Sequence, residues 1–288
     1  LLHFIKGVLA TLTLVANTLV GFTLMMPVAL IKLAVPWRPV RVLCDRWING
    51  VATGWIAVNN AWIAAVGHTH WDVQGLEGLR PDGWYLLASN HQSWVDILVL
   101  QRVFTRRIPL LKFFLKKELI WVPVIGLAWW ALDFPFMQRR GGSRSAEDLE
   151  RARKACEKFR RVPTTVINFL EGTRFTPAKQ RSQGSPFARL LKPKVGGIAT
   201  AMATLGDRFE TLLDVTIAYP DGPPTFWQML SGRVHRVIVR VNTVPIPHEF
   251  TVADYTSDPA QRQRMQQWVN ALWTEKDAQL QRLLPTRG

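Results

Sequence analysis

Across 288 residues the chain sets 36 Lys and Arg against 21 Asp and Glu, a formal charge of +15, while 48% of its residues are apolar. Such a balance favours anionic partners (nucleic acid, an anionic membrane leaflet or phosphorylated substrates), and the length suits one sizeable domain plus a hydrophobic segment. Cys44 and Cys156 match no zinc-ligand spacing and exclude a small secreted domain built on disulfides.

Residues 7–31 carry no charge and exceed the about 20 apolar residues that cross a bilayer. Thr11, Thr13, Asn17 and Thr23 dilute the run, and Pro27 is expected to kink it. Lys32, Arg38 and Arg41 follow, with Pro36 and Pro39 expected to end the helix. No small-residue cleavage site precedes a polar chain, so the segment does not read as a signal peptide. A second uncharged stretch, residues 47–66, includes Asn49, Asn59 and Asn60, which are costly in hydrocarbon. Its Trp47, Trp55 and Trp62 suit the headgroup level. The expectation is a spanning or re-entrant membrane helix followed by an interfacial or half-buried one; the alternative is two buried helices of a soluble core. Residues 1–66 thus read as membrane-anchoring helices. The basic domain over 67–288 is expected on the cytoplasmic face, by the positive-inside tendency.

His68 and His70 have no neighbouring carboxylate or thiol and read as linker, not metal ligands. Residues 71–73 can begin a strand, and Pro81-Asp82-Gly83 is a turn. The apolar run Tyr85-Leu86-Leu87-Ala88 reads as a buried strand delivering Asn90 and His91 at its end. Trp94-Val95 and Ile97-Leu98 start a helical pattern capped by Ser93, which places Asp96 in the first turn. Two readings stand side by side. Asp96 can reach back to the His91 imidazole and fix its tautomer, or it can satisfy orphan amides in a capping box.

Arg102, Arg106, Arg107, Lys112, Lys116 and Lys117 then accumulate with no acid between Asp96 and Glu118. Residues 119–136 are almost wholly apolar, fit for core or for the wall of a hydrocarbon slot. Ser145 is expected to cap a helix running to about Arg161, with Leu149, Ala152, Cys156 and Phe159 inward. Residues 164–170 form a β-rich run that ends at Glu171-Gly172-Thr173-Arg174, where open α/β sheets place their sites. Gly172 permits a close turn, Thr173 offers a hydroxyl and Arg174 can grip phosphate. A second acid-free stretch follows, containing Lys179, Arg181, Arg189, Lys192 and Lys194. A helix over 196–205, strands over 212–219 and 234–241, and a last helix from Asp258 complete the pattern. The last helix lines Met265, Trp268, Leu272 and Leu280 along one face. Strand and helix in alternation predict an α/β layered domain with a largely parallel sheet flanked by helices.

His91 and Asp96, separated by four residues, together with Glu171-Gly172-Thr173-Arg174, resemble the glycerolipid (lysophospholipid) acyltransferase family. The likeness covers about residues 85–220; Leu170 stands where the family usually has Pro. Lys116 to Pro123 resembles a Lys-rich segment of the family, Phe136-Met137-Gln138-Arg139 its second motif, and the strand closing on Pro220 its fourth. The resemblance implies a fatty acyl donor on coenzyme A or acyl carrier protein and a lysophospholipid acceptor. Among relatives that acceptor is most often 1-acyl-sn-glycerol-3-phosphate, giving phosphatidic acid. It also implies an N-terminal helical pair seated in one leaflet.

The sequence has no GxSxG elbow and no P-loop glycines, so direct transfer without cofactor or metal is the simplest scheme. His91 would act as base with Asp96 orienting it, and Arg174, Arg139 and Lys116 would hold phosphate. Glu171 would orient Arg174 or bind acceptor hydroxyls, and amides near Ser93 would hold the oxyanion. A hydrolase using the same His–Asp pair is the competing enzyme. A nucleic-acid-binding protein would explain the charge but neither the membrane stretch nor the motifs, so an anionic membrane surface is the expected polyanion.

Overall fold

The computed structural model describes residues 1–137, 157–252 and 258–284. Two long helices open the chain, α1 (Leu2–Ala34) and α2 (Arg38–Val66). α1 continues as helix through Pro27. Pro39 does not end a helix but lies in the first turn of α2, where its missing N–H leaves no helix carbonyl without a partner. Polar residues along the two helices satisfy one another. Asn17 Nδ2 donates to the Trp55 carbonyl and to Asn59 Oδ1, and Trp55 Nε1 donates to Thr18 Oγ1. Of the asparagines that looked costly in hydrocarbon, Asn59 is buried in the seam of the pair. The outer face of α1 leaves Leu9, Leu12, Val15, Leu19 and Val20 exposed, and the helix is long and apolar enough to cross a membrane.

The remaining elements are β1 (His70–Gln74), β2 (Tyr85–Ser89), α3 (Val95–Phe104), β3 (Leu111–Phe113), β4 (Leu115–Lys116), α4 (Ile125–Ala131) and β5 (Phe136–Met137). After them come β6 (Thr165–Phe169), α5 (Pro177–Ser182), α6 (Gly196–Leu205), β7 (Thr211–Ala218), α7 (Phe226–Leu230), β8 (Arg236–Val244), α8 (Glu249–Val252) and α9 (Pro259–Leu283). Among the described residues, six strands form one sheet in the order β1-β8-β7-β2-β6-β3. Every pairing is parallel except β7 with β8. The short strands β4 and β5 pair separately.

β2 lies in the interior of the sheet and is buried along its whole length, which is why it reads as an unbroken apolar run. Tyr85 and Leu87 pack on the α3 side with Val95, Val99 and Val103. Leu86 and Ala88 face the other layer, formed by α6 and α9. α1 reaches this body through α7. Gly7 allows the approach, since a Cβ there would lie 2.6 Å from a ring carbon of Trp227.

The apolar stretch 119–136 divides between surface and core. Trp121 and Leu127 are exposed, whereas Ala131, Leu132 and Phe134 pack with Met25 and Ala29 of α1 and Ile48 and Ala52 of α2. Of the helix expected over 145–161, the part before Glu157 lies outside the described residues; its end is a 3-10 turn, Lys158–Arg161.

That turn delivers Arg161 to a buried ionic network joining the helix pair to the sheet domain. Lys32 Nζ lies 2.7 Å from Asp45 and 2.5 Å from Asp133, while Arg161 reaches the same acids at 2.6 and 2.5 Å. Lys112 is buried nearby, with its ammonium 4.8 Å from the Phe159 ring centroid. Burial pulls its pKa down to about 8 against the attraction of Asp133 and Asp45. Removing one partner of such a network strands a buried charge. Asp45→Ala is expected to cost about 3 kcal/mol of stability, with Lys32→Met/Asp45→Leu recovering part of the loss; unfolding in detergent micelles measures both.

Candidate active site

β2 ends beside β6, with Ser89 opposite Phe169, so the two adjacent parallel strands release their loops at the same edge. Asn90 anchors the first loop. Its side-chain amide donates to the Ile217 carbonyl and accepts from the Ile217 amide, both at 2.8 Å, which prolongs the contact with β7 beyond the last strand residue. His91 follows, and its Nδ1 lies 2.8 Å from Asp96 Oδ2. The same oxygen accepts the amides of Gln92 at 2.6 Å and Ser93 at 2.8 Å. Asp96 thus reaches the imidazole and caps the turn at once, since a carboxylate oxygen has room for several donors. Asp96 Oδ1 accepts the Tyr219 hydroxyl at 2.6 Å. Burial and the Asp96 charge push the Tyr219 phenol well above its ordinary pKa, so it remains a donor.

Asp96 is acceptor-only when ionised, which assigns the His91 proton to Nδ1 and leaves Nε2 with its lone pair. The imidazole stacks on Phe169, with ring centroids 4.0 Å apart and planes 14° from parallel. Its side chain is 13% exposed. The pairing therefore holds the imidazole in one tautomer against an apolar wall.

The second motif adjoins the first. The Phe175 amide donates to the His91 carbonyl at 2.7 Å. Gly172 has φ +67°, a left-handed conformation suited to glycine, and Lys194 lies against it. Thr173 Oγ1 accepts from Lys179 Nζ at 2.8 Å. The Arg174 guanidinium lies 5.1 Å from the Trp94 ring centroid, on the exposed side of the turn. Arg174, Lys179 and Lys194 therefore gather around the turn beside His91, a cationic rim suited to phosphate.

The Glu171 side chain does not reach toward Arg174: it is fully buried and accepts the His91 amide at 2.8 Å and the Leu191 amide at 2.9 Å. Two cations of the first run are engaged away from the His91 turn. Arg102 donates to the Asn60 carbonyl and stacks over Trp71, and Lys112 is buried against Phe159. Of the amides near Ser93 expected to hold an oxyanion, those of Gln92, Ser93, Val95 and Asp96 donate within the turn. Lys116 lies on β4 opposite Met137, in the small sheet. Arg139 lies outside the described residues. Tyr219 was not foreseen; its signal was the one phenol at the end of the apolar strand before Pro220.

Burial raises the Glu171 pKa from 4.5 to about 8, with Asp96 adding to the rise while the two amides and Lys276 oppose it. Between these values the unfolded chain binds fewer protons. The contribution of Glu171 to stability is therefore complete below pH 4.5 and is lost as pH rises through about 8. Glu171→Gln is expected to flatten the fall of Tm across that window, which thermal unfolding at stepped pH measures.

A family model described as Acyltransferase matches residues 70–220, more than half of the chain. Lysocardiolipin acyltransferase 1 of Danio rerio is 28% identical over 98% of this chain and 72% of its own length. 1-acyl-sn-glycerol-3-phosphate acyltransferase 3 of Arabidopsis thaliana is 29% identical over 68% of this chain, which spans 53% of that protein. The crystal structure of the 1-acyl-sn-glycerophosphate (LPA) acyltransferase of Thermotoga maritima has the same fold. Its TM-score is 0.53 at 17% identity, over 95% of this chain and 98% of that one. With a layered sheet bearing paired motifs at one edge and a family match across that sheet, the chain belongs to the acyltransferase family and is an acyltransferase.

Proposed function

We propose that the chain transfers a fatty acyl group from an acyl thioester, on coenzyme A or acyl carrier protein, to the free hydroxyl of a lysophospholipid. 1-acyl-sn-glycerol-3-phosphate is the foremost acceptor and phosphatidic acid the product. The observation that carries this reading is the His91–Asp96 pair, 2.8 Å apart, beside the exposed Arg174. In the proposed reaction His91 Nε2 takes the proton of the acceptor hydroxyl as its oxygen attacks the thioester carbonyl. The C–O bond forms, the C–S bond breaks, and the imidazolium returns its proton to the departing thiolate. Asp96 stabilises the imidazolium, and a base so positioned supplies about 10²–10⁴-fold. Arg174, aided by Lys179 and Lys194, would hold the phosphate; Arg139 and Lys116 remain proposed phosphate contacts. Glu171 and Gly172 would shape the turn that Thr173 and Arg174 present.

The exposed apolar face of α1 supports residence in a bilayer, with residues 1–66 as the anchoring unit and residues 67–288 as the catalytic one. The net positive charge supports a cytoplasmic, anionic leaflet. A second acceptor reading, another lysophospholipid, is favoured by the zebrafish lysocardiolipin acyltransferase, which aligns over nearly the whole chain.

A lysolipid panel with both donor types, read by mass spectrometry, tests the assignment. Acceptor-dependent formation of diacyl product supports transfer, whereas acceptor-independent release of fatty acid would indicate a hydrolase. His91→Ala is expected to lower turnover by about 10²-fold or more, with circular dichroism unchanged; full activity in that variant would remove His91 as base.

A further inference from the structure

The family match ends at residue 220, but the hydrogen bonds that hold the His91 turn continue beyond it into the last helix. Glu171 Oε1 accepts the His91 amide and Oε2 accepts the Leu191 amide, so the carboxyl group bridges the His91 turn to the chain at 188–191. That segment is in turn fastened to α9. Asp277 accepts the amides of Ala188 at 2.9 Å and Arg189 at 2.7 Å, one on each oxygen. Trp273 Nε1 donates to the Leu191 carbonyl at 3.1 Å from a fully buried ring. The helix itself is locked to the sheet. Lys276 Nζ lies 2.8 Å from Asp214 and donates to the Val215 carbonyl of β7 at 2.6 Å. Burying a lysine beside its acid is expensive unless the geometry is satisfied, so this contact defines where α9 sits along β7.

We propose that α9 is a positioning element of the active site, with Asp277 and Trp273 as positioning residues. They hold the 188–191 segment so that Glu171 can hold the His91 backbone, and through it the direction in which the imidazole points. Neither residue touches substrate; each acts through Leu191 and Glu171. The inference rests on His91 being the base.

The test uses the full chain in mixed micelles with an acyl-CoA donor and lysophosphatidate. Trp273→Phe removes one N–H donor and retains an aromatic ring, Asp277→Asn removes one amide acceptor, and Val269→Ala truncates a buried residue of the same helix as a stability control. Misdirecting a base by a fraction of an ångström should lower kcat of Asp277→Asn by about tenfold or more. Acceptor KM should stay within about twofold, as expected when transition-state alignment is lost rather than binding. Trp273→Phe should follow in the same direction, and the downfield His91 Nδ1 proton resonance should move in both variants. Val269→Ala should keep kcat within about twofold, its Tm loss notwithstanding. Unchanged kcat and an unmoved resonance in both Trp273→Phe and Asp277→Asn, or an equal kcat loss in Val269→Ala, would overturn the proposal. Failure of the base assignment is a separate result, since it appears as activity surviving in His91→Ala.

Discussion

The Asp96 carboxylate is the centre on which the His91 turn depends. It is fully buried, yet it receives two backbone amides, an imidazole nitrogen and a phenol. A lone charge in such a place would be expelled or neutralised. Four donors compensate it, and in doing so they fix the loop conformation, the tautomer of His91 and the distance between β7 and α3. One carboxyl group thus organises the backbone and the His91 side chain together. The first helical turn of α3 adds favourable dipole to the same carboxylate.

Around this centre the sheet supplies alignment. Parallel β2 and β6 are neighbours in register, so the His turn and the Glu-Gly-Thr-Arg turn leave the sheet together. Hydrogen bonds across the gap then bind one loop to the other, from His91 to Glu171 and from Phe175 back to His91. Positive side chains remain at the rim because the turn there is exposed, and Gly172 lets Lys194 approach. The contrast is between a dry interior that holds the His91 imidazole and an exposed, cationic edge that can collect an anion. Beyond this edge, the ionic network at Lys32, Asp45, Asp133 and Arg161 fastens the N-terminal helices to the same body, so an apolar surface and the site share one frame.

Much of the site was legible because its signals are local. The run from Tyr85 to Ala88, the spacing from His91 to Asp96, and the strand before Glu171 each depend on a few consecutive residues. The cations were misleading for the opposite reason. Lys112 and Arg102 look like members of one basic face, but their partners are Phe159, Asn60 and Trp71, which only folding brings near. Glu171 shows the same limit: its motif marks it as functional, while the tertiary structure turns it inward onto two amides.

Sequence alone determined the layered α/β class, the apolar N-terminal helix and the residue types at the two motif turns, since periodicity and short spacings act along the chain. Only the tertiary structure decided which charges are buried, which amides are consumed, that Tyr219 completes the Asp96 shell, and that α9 is linked to the His91 turn through Leu191 and Glu171. Those outcomes turn on side chains far apart in sequence competing for the same dry space. A one-dimensional pattern carries no distance between them.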